Sequence, residues 1–416
     1  MLTSRPRGVN DILPGDVEKW QWIERTARDV CRRFNVSEIR TPIFEHTELF
    51  QRGVGETTDI VEKEMYSFQD RGERSLTLRP EGTASAVRAF VEHKLHAQPQ
   101  QPTKLFYIGP MFRYERPQAG RYRQFHQFGA EVIGVNDPSV DAEIIALAMT
   151  FFTELGVQNI SLEINSVGSP ESREVYRNVL REHLAPVKDQ LCKDCQSRYD
   201  RNPMRILDCK VEACKQLIVD PPFMLDHLTE EDKTHFAQVR AYLDAFGIDY
   251  KVNPRMVRGL DYYTQTAFEF IESGSTLSGG GRYNGMVEQL GGPDLSGIGF
   301  AVGIERVLIA LQNQAVELPI DKGIDAFLVA LGEEAQKRTV SLLQELRTAG
   351  LVADKDYLGK SMKAQMKAAD RLQARQVVIL GDDELAQGIA NVKDMETGEQ
   401  VSVPLAELVE KLQQKL

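Results

Sequence analysis

The sequence predicts an α+β protein: an antiparallel sheet domain flanked by helices, interrupted by a helical insertion and followed by a separate α/β domain. Three observations lead there. Residues 104–134 read as one long hairpin, residues 170–247 lose the strand pattern and turn mostly helical, and residues 324–416 alternate strand with helix. The boundaries expected are therefore 1–323 for the sheet domain, 170–247 for the insertion within it, and 324–416 for the terminal domain. A chain of 416 residues has material for two or three such units.

Residues 16–34 form an amphipathic pattern entered after "LPGD", which predicts the first helix. "SEIRTPIFE" follows as a short strand, with Pro42 where a central strand would not tolerate it, so this strand belongs at an edge or an interface. Residues 64–69 and 74–79 read as a hairpin, and "RPEGTASAVRAFVEH" turns into a helix with Thr83 as its cap. The long hairpin consists of "KLFYIGPMFRYE" and "QFHQFGAEVIG" joined by the polar loop "RPQAGRYR". A helix at 139–155, a strand at 160–166 and the insertion come next. The sheet resumes at 248–272, where "RGLDYYTQTAFEF" shows strand alternation only from Tyr263 onward. A glycine-rich turn leads to "GIGFAVGIERVLIAL", a strand and then a helix. "NQAVELPIDKG" is a linker, and the terminal domain includes the basic amphipathic helix "SMKAQMKAADRLQA" before the strand "QVVILG".

Composition removes several function classes. With 42% apolar and 27% charged residues the chain is ordinary for a globular protein, no apolar run approaches a membrane span, and the N-terminus lacks a signal-peptide core. A cytoplasmic protein is expected. The net charge of −11 excludes a nonspecific nucleic-acid coat, so any such contact must be local. Four of the five cysteines cluster as Cys192, Cys195, Cys209 and Cys214. The first pair fits half a structural zinc site, but four residues separate the second pair, and reduced thiols in a small helical module are the favoured reading.

In the long hairpin, residues two apart share a face. One face is mainly apolar and includes Phe106, Phe112 and Phe128; the other carries Arg113, Glu115, Gln127 and Glu131. A wet sheet face would explain the polar set, although such a face normally carries lysine and threonine. "GIGFAVG" and "GGGRYNG" both depart from the dinucleotide fingerprint, and there is no Walker loop or G-x-S-x-G. His126 falls on the apolar face as a core histidine. Arginines at strand ends and helix starts remain: Arg113, Arg121, Arg258 and Arg306. They suit phosphoryl or nucleotidyl chemistry, in which positioning and charge neutralisation lower the barrier.

"FRYERPQAGRYRQFHQ" resembles motif 2 of class II aminoacyl-tRNA synthetases, "GIGFAVGIERV" is similar to their motif 3, and the segment around Pro42 looks like motif 1. Within that class, "RGLDYYT", "GGGRYNG" and "LRPEGT" resemble signatures of the histidyl-tRNA synthetase family, and the likeness runs over nearly the whole chain. It implies a class II catalytic domain, a C-terminal anticodon-binding domain and a homodimer formed through motif 1. The substrates implied are histidine, ATP with Mg2+, and tRNA(His).

By the same resemblance, Arg113 bridges the amino-acid carboxylate and the α-phosphate, and Arg258 approaches from the opposite side where related enzymes place a metal ion. Arg121 and Arg306 hold the outer phosphates, Glu115 takes the adenine amino group and Phe125 stacks on the ring. Glu131 and Tyr263 serve the two imidazole nitrogens. Glu81, Gly82, Thr83 and Gln127 lie around the α-amino group, Tyr262 and Tyr283 line the pocket, and Arg116 and Gln118 face the tRNA acceptor end. The six basic and two acidic side chains of residues 355–375 would meet the anticodon stem. The competing reading is a regulatory, histidine-binding paralogue that does not aminoacylate tRNA; such proteins generally lack the anticodon domain.

Overall fold

The computed structural model describes residues 3–55, 58–258, 260–320 and 323–414. It divides into two compact units, Met1–Leu318 and Pro319–Leu416, with the division inside the segment read as a linker. Among the described residues no helix is long and apolar enough to cross a membrane.

The first unit is built on eight strands: β1 (Ser37–Glu38), β2 (Thr103–Phe112), β3 (Gln124–Ile133), β4 (Ser161–Ser166), β5 (Lys251–Val252), β6 (Thr264–Glu272), β7 (Ser275–Arg282) and β8 (Gly297–Gly303). Their order is β1-β2-β3-β8-β7-β6-β4-β5. The six inner strands are antiparallel throughout, and the two-residue edge strands β1 and β5 pair parallel to their neighbours.

Among the helices of this unit are α1 (Val17–Arg33), α2 (Thr83–Glu92), α3 (Pro138–Leu155), α4 (Pro170–Leu184), α5 (Lys193–Arg201), α6 (Glu230–Ala245) and α7 (Ile304–Asn313). Helix α3 shows why such segments start and stop where they do. The Asp137 carboxylate accepts from the Ser139 N–H, Pro138 opens the first turn, and Gly156 at φ 79° closes the last.

Alternation gives the sheet one oily face. Phe106, Phe128, Ala130, Phe268, Phe270 and Phe300 form a single buried cluster with Ile23 and Ala27 of α1, Ala148, Phe151 and Phe152 of α3, and Val307 and Leu311 of α7. Each buried phenylalanine contributes about 1.5–3 kcal/mol, and truncating Phe128, which touches the Phe151 and Phe300 rings at 4.9 and 5.5 Å, would cost about 3–5 kcal/mol with the cavity it leaves. At the end of β7, the fully buried Arg282 forks onto Asp141 of α3 at 2.8 and 2.5 Å and spends its other N–H groups on the Val135 and Asp137 carbonyls. All the charge in that pair is met locally, as burial requires.

Two local readings of the sequence need revision. The strand expected over "SEIRTPIFE" is broken at Pro42. Its start is β1, and its end, Phe44–His46, joins Tyr66–Gln69 and Ser75–Leu78 in a separate three-stranded sheet. The missing N–H of proline makes that break. Strand β2 stops at Phe112, three residues early, because the Tyr114 N–H leaves the ladder for the Glu64 carbonyl.

The insertion, between β4 and β5, holds α4, α5 and α6 with several short helical turns. Its own core of Tyr176, Leu180, Leu184, Ile206 and the cysteines continues into Tyr263 and Ala267 of the sheet domain. In the second unit, strands β9 (Ala326–Leu331), β10 (Ala353–Lys355), β11 (Gln376–Gly381), β12 (Ile389–Asp394) and β13 (Gln400–Pro404) run in the order β10-β9-β11-β12-β13. The first three are parallel, with helices α8 (Glu333–Thr348) and α9 (Met362–Arg371) among the connections. On α9, Lys363, Lys367 and Arg371 repeat every four residues and are exposed.

Candidate active site

The other face of the sheet is the floor of a cavity of about 640 Å³. Register explains why there is space. One cross-strand row reads Leu105, Glu131, Gly299, Gly281, Ala267; the next reads Tyr107, Gly129, Ala301, Gly279, Glu269. Glycine and alanine in each row leave the floor open beside Glu131 in the first and Glu269 in the second. Two of these glycines are fixed by close approach. A Cβ on Gly299 would lie 1.8 Å from Glu131 Oε2, and one on Gly279 would lie 2.3 Å from the Arg258 guanidinium.

Glu131 is fully buried. Its Oε1 accepts from the Thr83 hydroxyl at 2.7 Å and the Tyr107 hydroxyl at 3.1 Å, and its Oε2 accepts from the Tyr283 hydroxyl at 2.8 Å. Burial pushes its carboxyl up to about 8; the nearby Glu81 charge adds to this and the three hydroxyl bonds oppose it. Glu81, expected near the α-amino group, caps α2, accepting from the Thr83 and Ala84 N–H groups at 2.9 and 2.8 Å. Burial raises its carboxyl too, against those two bonds. Thr83, expected as the cap, instead turns its hydroxyl to Glu131. Gly82 is required because a Cβ there would sit 2.1 Å from the Tyr107 ring. Gln127 lines the cavity with its Oε1 buried and without a hydrogen-bond partner. Tyr262 sits between Tyr263 and Tyr283, ring centroids 4.6 and 6.0 Å away. Burial raises the Tyr262 and Tyr283 phenols well above their ordinary value, so both stay protonated donors.

The four arginines line the same cavity. Arg113, just past β2, donates Nε to the Pro80 carbonyl at 2.8 Å and lies 5.2 Å from the Phe125 ring centre. Glu115 lies 3.9 Å from Arg113 and 3.6 Å from the half-exposed Arg121, with its Oε2 buried and without a hydrogen-bond partner. Arg306, in the first turn of α7, is held by the Gly120 carbonyl at 3.2 Å and the Thr276 carbonyl at 2.5 Å. Burial, then the charge of Arg121, lowers the proton affinity of its guanidinium. Arg258 crosses the floor from the far side, pairs with Glu269 and stacks 5.2 Å from the Tyr263 ring centre. Anionic oxygen is the ligand such a lining selects. Arg116 and Gln118 are exposed on the hairpin loop outside this lining, with Gln118 and Arg121 bridged across its tip. His126, expected in the core, is partly buried and held by Glu305, which accepts from its backbone N–H and meets Nδ1 at 3.1 Å.

Several contributors went unread in the sequence. Tyr107 holds Glu131, and its place on the polar face of the hairpin was the available signal. Glu269 and Glu64 also line the cavity. The insertion supplies a whole wall, including Asp194, Arg198, Arg205, Asp208 and Lys210. That wall is fastened to the sheet domain: Arg198 and Arg205 meet Asp59 at 3.2 and 2.9 Å, and Arg201 meets Glu62 at 2.6 Å. Despite the cost of burial, Arg205 and Arg198 hold the Asp59 carboxyl below its usual value. Asn202 adds a bond to Asp261 Oδ1 at 2.9 Å, so Asp261 anchors the insertion beside the tyrosines.

Residues 8–201 and 210–307 match the family model described as histidyl-tRNA synthetase, and residues 325–415 match that of an anticodon binding domain. A curated histidine–tRNA ligase of Desulforamulus reducens is 59% identical over 98% of each chain. One from Geobacillus sp. (strain WCH70) is 56% identical over 99% of each. Among solved structures, apo histidyl-tRNA synthetase of S. aureus shares 47% identity, covers 98% of this chain and 99% of its own, and superposes with a TM-score of 0.85.

Proposed function

The chain belongs to the histidyl-tRNA synthetase family, and we infer that it is a histidine–tRNA ligase whose chemistry runs in the sheet-floored cavity. The observation that carries this reading is the buried Glu131, held by three hydroxyls, in a cavity that also collects four arginines. An imidazole N–H needs a carboxylate, and a triphosphate needs guanidinium groups. Few substrate pairs other than histidine and ATP ask for both at once.

In the first step a histidine carboxylate oxygen attacks the α-phosphorus of ATP, and pyrophosphate leaves. Arg113 and Arg258 approach the reacting centre from two sides and neutralise the charge that accumulates there, while Arg121 and Arg306 take the outer phosphates. Glu115, whose Oε2 has no hydrogen-bond partner, accepts from the adenine amino group, and Phe125 stacks on the ring. Glu131 accepts from one imidazole nitrogen and Tyr263 serves the other. Gln127, Glu81 and Thr83 surround the α-ammonium. In the second step the 3′-terminal ribose hydroxyl of tRNA(His) attacks the activated carbonyl and AMP leaves, with Arg116 and Gln118 beside the acceptor end. Magnesium supplies charge neutralisation to the triphosphate. Glu64, a hard carboxylate donor in the cavity lining, would hold it there.

A site built on paired hydrogen bonds rejects side chains unable to make them, so specificity needs no editing domain. The exposed stripe of Lys363, Lys367 and Arg371 supports anticodon-stem contact by residues 324–416. Exposed Ile43, Phe44 and Phe68 support a homodimer formed around motif 1. The cytoplasm, where tRNA and ATP meet, is its place of work. Full-length identity to ligases and the presence of the terminal domain favour aminoacylation over the regulatory role. ATP–pyrophosphate exchange with each amino acid in turn tests the reading: histidine alone should support it. No histidine-dependent exchange in folded protein would overturn it.

A further inference from the structure

We propose that Cys192, Cys195, Cys209 and Cys214 form a tetrathiolate zinc site built into the wall of the cavity. The four sulfurs lie within 4.8 Å of one another, with Cys192 and Cys209 at 4.0 Å. Tetrahedral zinc, with Zn–S near 2.3 Å, holds its sulfurs about 3.8 Å apart, so these side chains reach that geometry by closing in less than ~1 Å. A disulfide needs sulfurs about 2.05 Å apart, and all the cysteines are free. Spacing this close leaves room for one ion rather than a multi-iron cluster, and an all-sulfur set selects a soft or borderline metal over magnesium.

The surroundings are those of a thiolate site. Three of the four cysteines are buried, and Cys192 is half-buried on the cavity side. The Cys192 backbone N–H donates to Cys214 Sγ at 3.1 Å, which orients that sulfur and stabilises charge on it. Cys192 stands immediately before the first turn of α5. The four-residue gap between Cys209 and Cys214, which weighed against zinc in the sequence, is taken up as the chain enters the helical turn Glu212–Leu217, and this returns Cys214 to the cluster. Loading is balanced by protons: Zn2+ plus four thiols gives a Zn(SR)4 dianion and four H+, so affinity rises with pH.

The consequence for the site follows from chain order. Cys192 and Cys209 both border the cavity, and the residues between them include Arg198 and Arg205, with Lys210 just beyond. One ion therefore fixes both ends of the segment that supplies the wall. The inference stands apart from the proposed reaction, because metal content is measured without substrates.

The full-length chain, expressed with zinc supplementation and purified without chelator, is assayed by mass-spectrometric metal analysis. About one zinc per chain is expected, released when a mercurial titrates the thiolates. Cys209→Ser and Cys214→Ser should each lower bound zinc at least ~10-fold while Cys31→Ala, outside the cluster, retains it. Less than about half a zinc per chain in the unmutated protein, after reconstitution under reducing conditions, would overturn the proposal, as would stoichiometric iron. Because the decisive measurement is on the unmutated chain, misfolding of a variant does not blur it.

Discussion

Replacing Arg258 by alanine separates chemistry from binding. The guanidinium is 14% exposed, pairs with Glu269, and has an Nε without a hydrogen-bond partner, so part of its donor capacity is unspent in the free protein. Losing one partner of a fully buried pair costs about 3–5 kcal/mol. Glu269, however, is 24% exposed and keeps the Thr276 hydroxyl at 3.3 Å, so solvent screening brings the stability loss to roughly 1–2 kcal/mol. The chemical loss should be larger. Removing one preorganised donor from a developing charge costs about 2.7–4 kcal/mol, or a 100- to 1,000-fold drop in ATP–pyrophosphate exchange at saturating substrates. In the proposed reading Glu131, Tyr263 and Gln127 grip histidine at its ring and amino group, so its affinity should change less than ~10-fold, about 1.4 kcal/mol. Exchange rates, calorimetric histidine binding and urea unfolding on one preparation give all three numbers. Histidine affinity falling in step with exchange would refute the assignment and make Arg258 a binding or structural residue. Arg258→Lys restores charge but not the planar fork, and should recover only part of the rate.

Glu131 makes the free protein sensitive to pH. Its folded-state value, about 8, lies above the ordinary 4.5, so its contribution is complete below 4.5 and is lost as pH rises through about 8. The whole window corresponds to a loss on the order of 5 kcal/mol; urea unfolding between pH 5.5 and pH 8 should read about 3 kcal/mol of it, with Glu131→Gln losing much less, and equal losses would disprove it. Gly299→Ala drives a methyl to 1.8 Å from Glu131 Oε2 and should weaken histidine binding more than ~100-fold with ATP affinity retained. Gly303→Ala, whose nearest neighbour would be 3.8 Å away, is the control, and comparable losses in both would refute the steric argument. Glu81→Ala should cost ~1 kcal/mol of stability as a lost cap together with histidine affinity, whereas Glu81→Gln should lose ~10-fold in affinity and little stability. If Glu81→Gln binds histidine normally, the carboxylate is a cap alone.

How much of this could be read in advance depended on distance along the chain. The hairpin faces were legible because alternation is local: Gln127 and Glu131 are on the cavity side and Phe106 and Phe128 in the core. Arg113 and Glu115 reach the cavity as well, though by a different route, since they lie past the end of β2 where alternation no longer applies. The capping of α2 was misread because the Glu81 carboxylate reaches the Thr83 and Ala84 N–H groups at the start of the helix, and the Thr83 hydroxyl is taken by Glu131. The insertion wall was invisible for a plainer reason. Nothing local in the sequence marks Arg198 and Arg205, and only their bonds to Asp59, more than a hundred residues earlier, tie them to the site.

The pairing of Glu131 with Gly299 bears on synthesis as well as catalysis. The strand that carries Glu131 leaves the ribosome early, but its partner β8 follows only after the insertion, β6 and β7. Loop closure over that span makes the pairing slow, and until it forms the Glu131 face has no neighbour on that side. The nascent chain therefore lacks the Gly299 side of the pocket until β8 has been made, whereas in the second unit β11 pairs with β12 and β12 with β13, each the next strand in sequence. A translation product truncated before Gly297 should expose that sheet edge and aggregate, whereas one ending near Leu318 should be soluble and bind histidine.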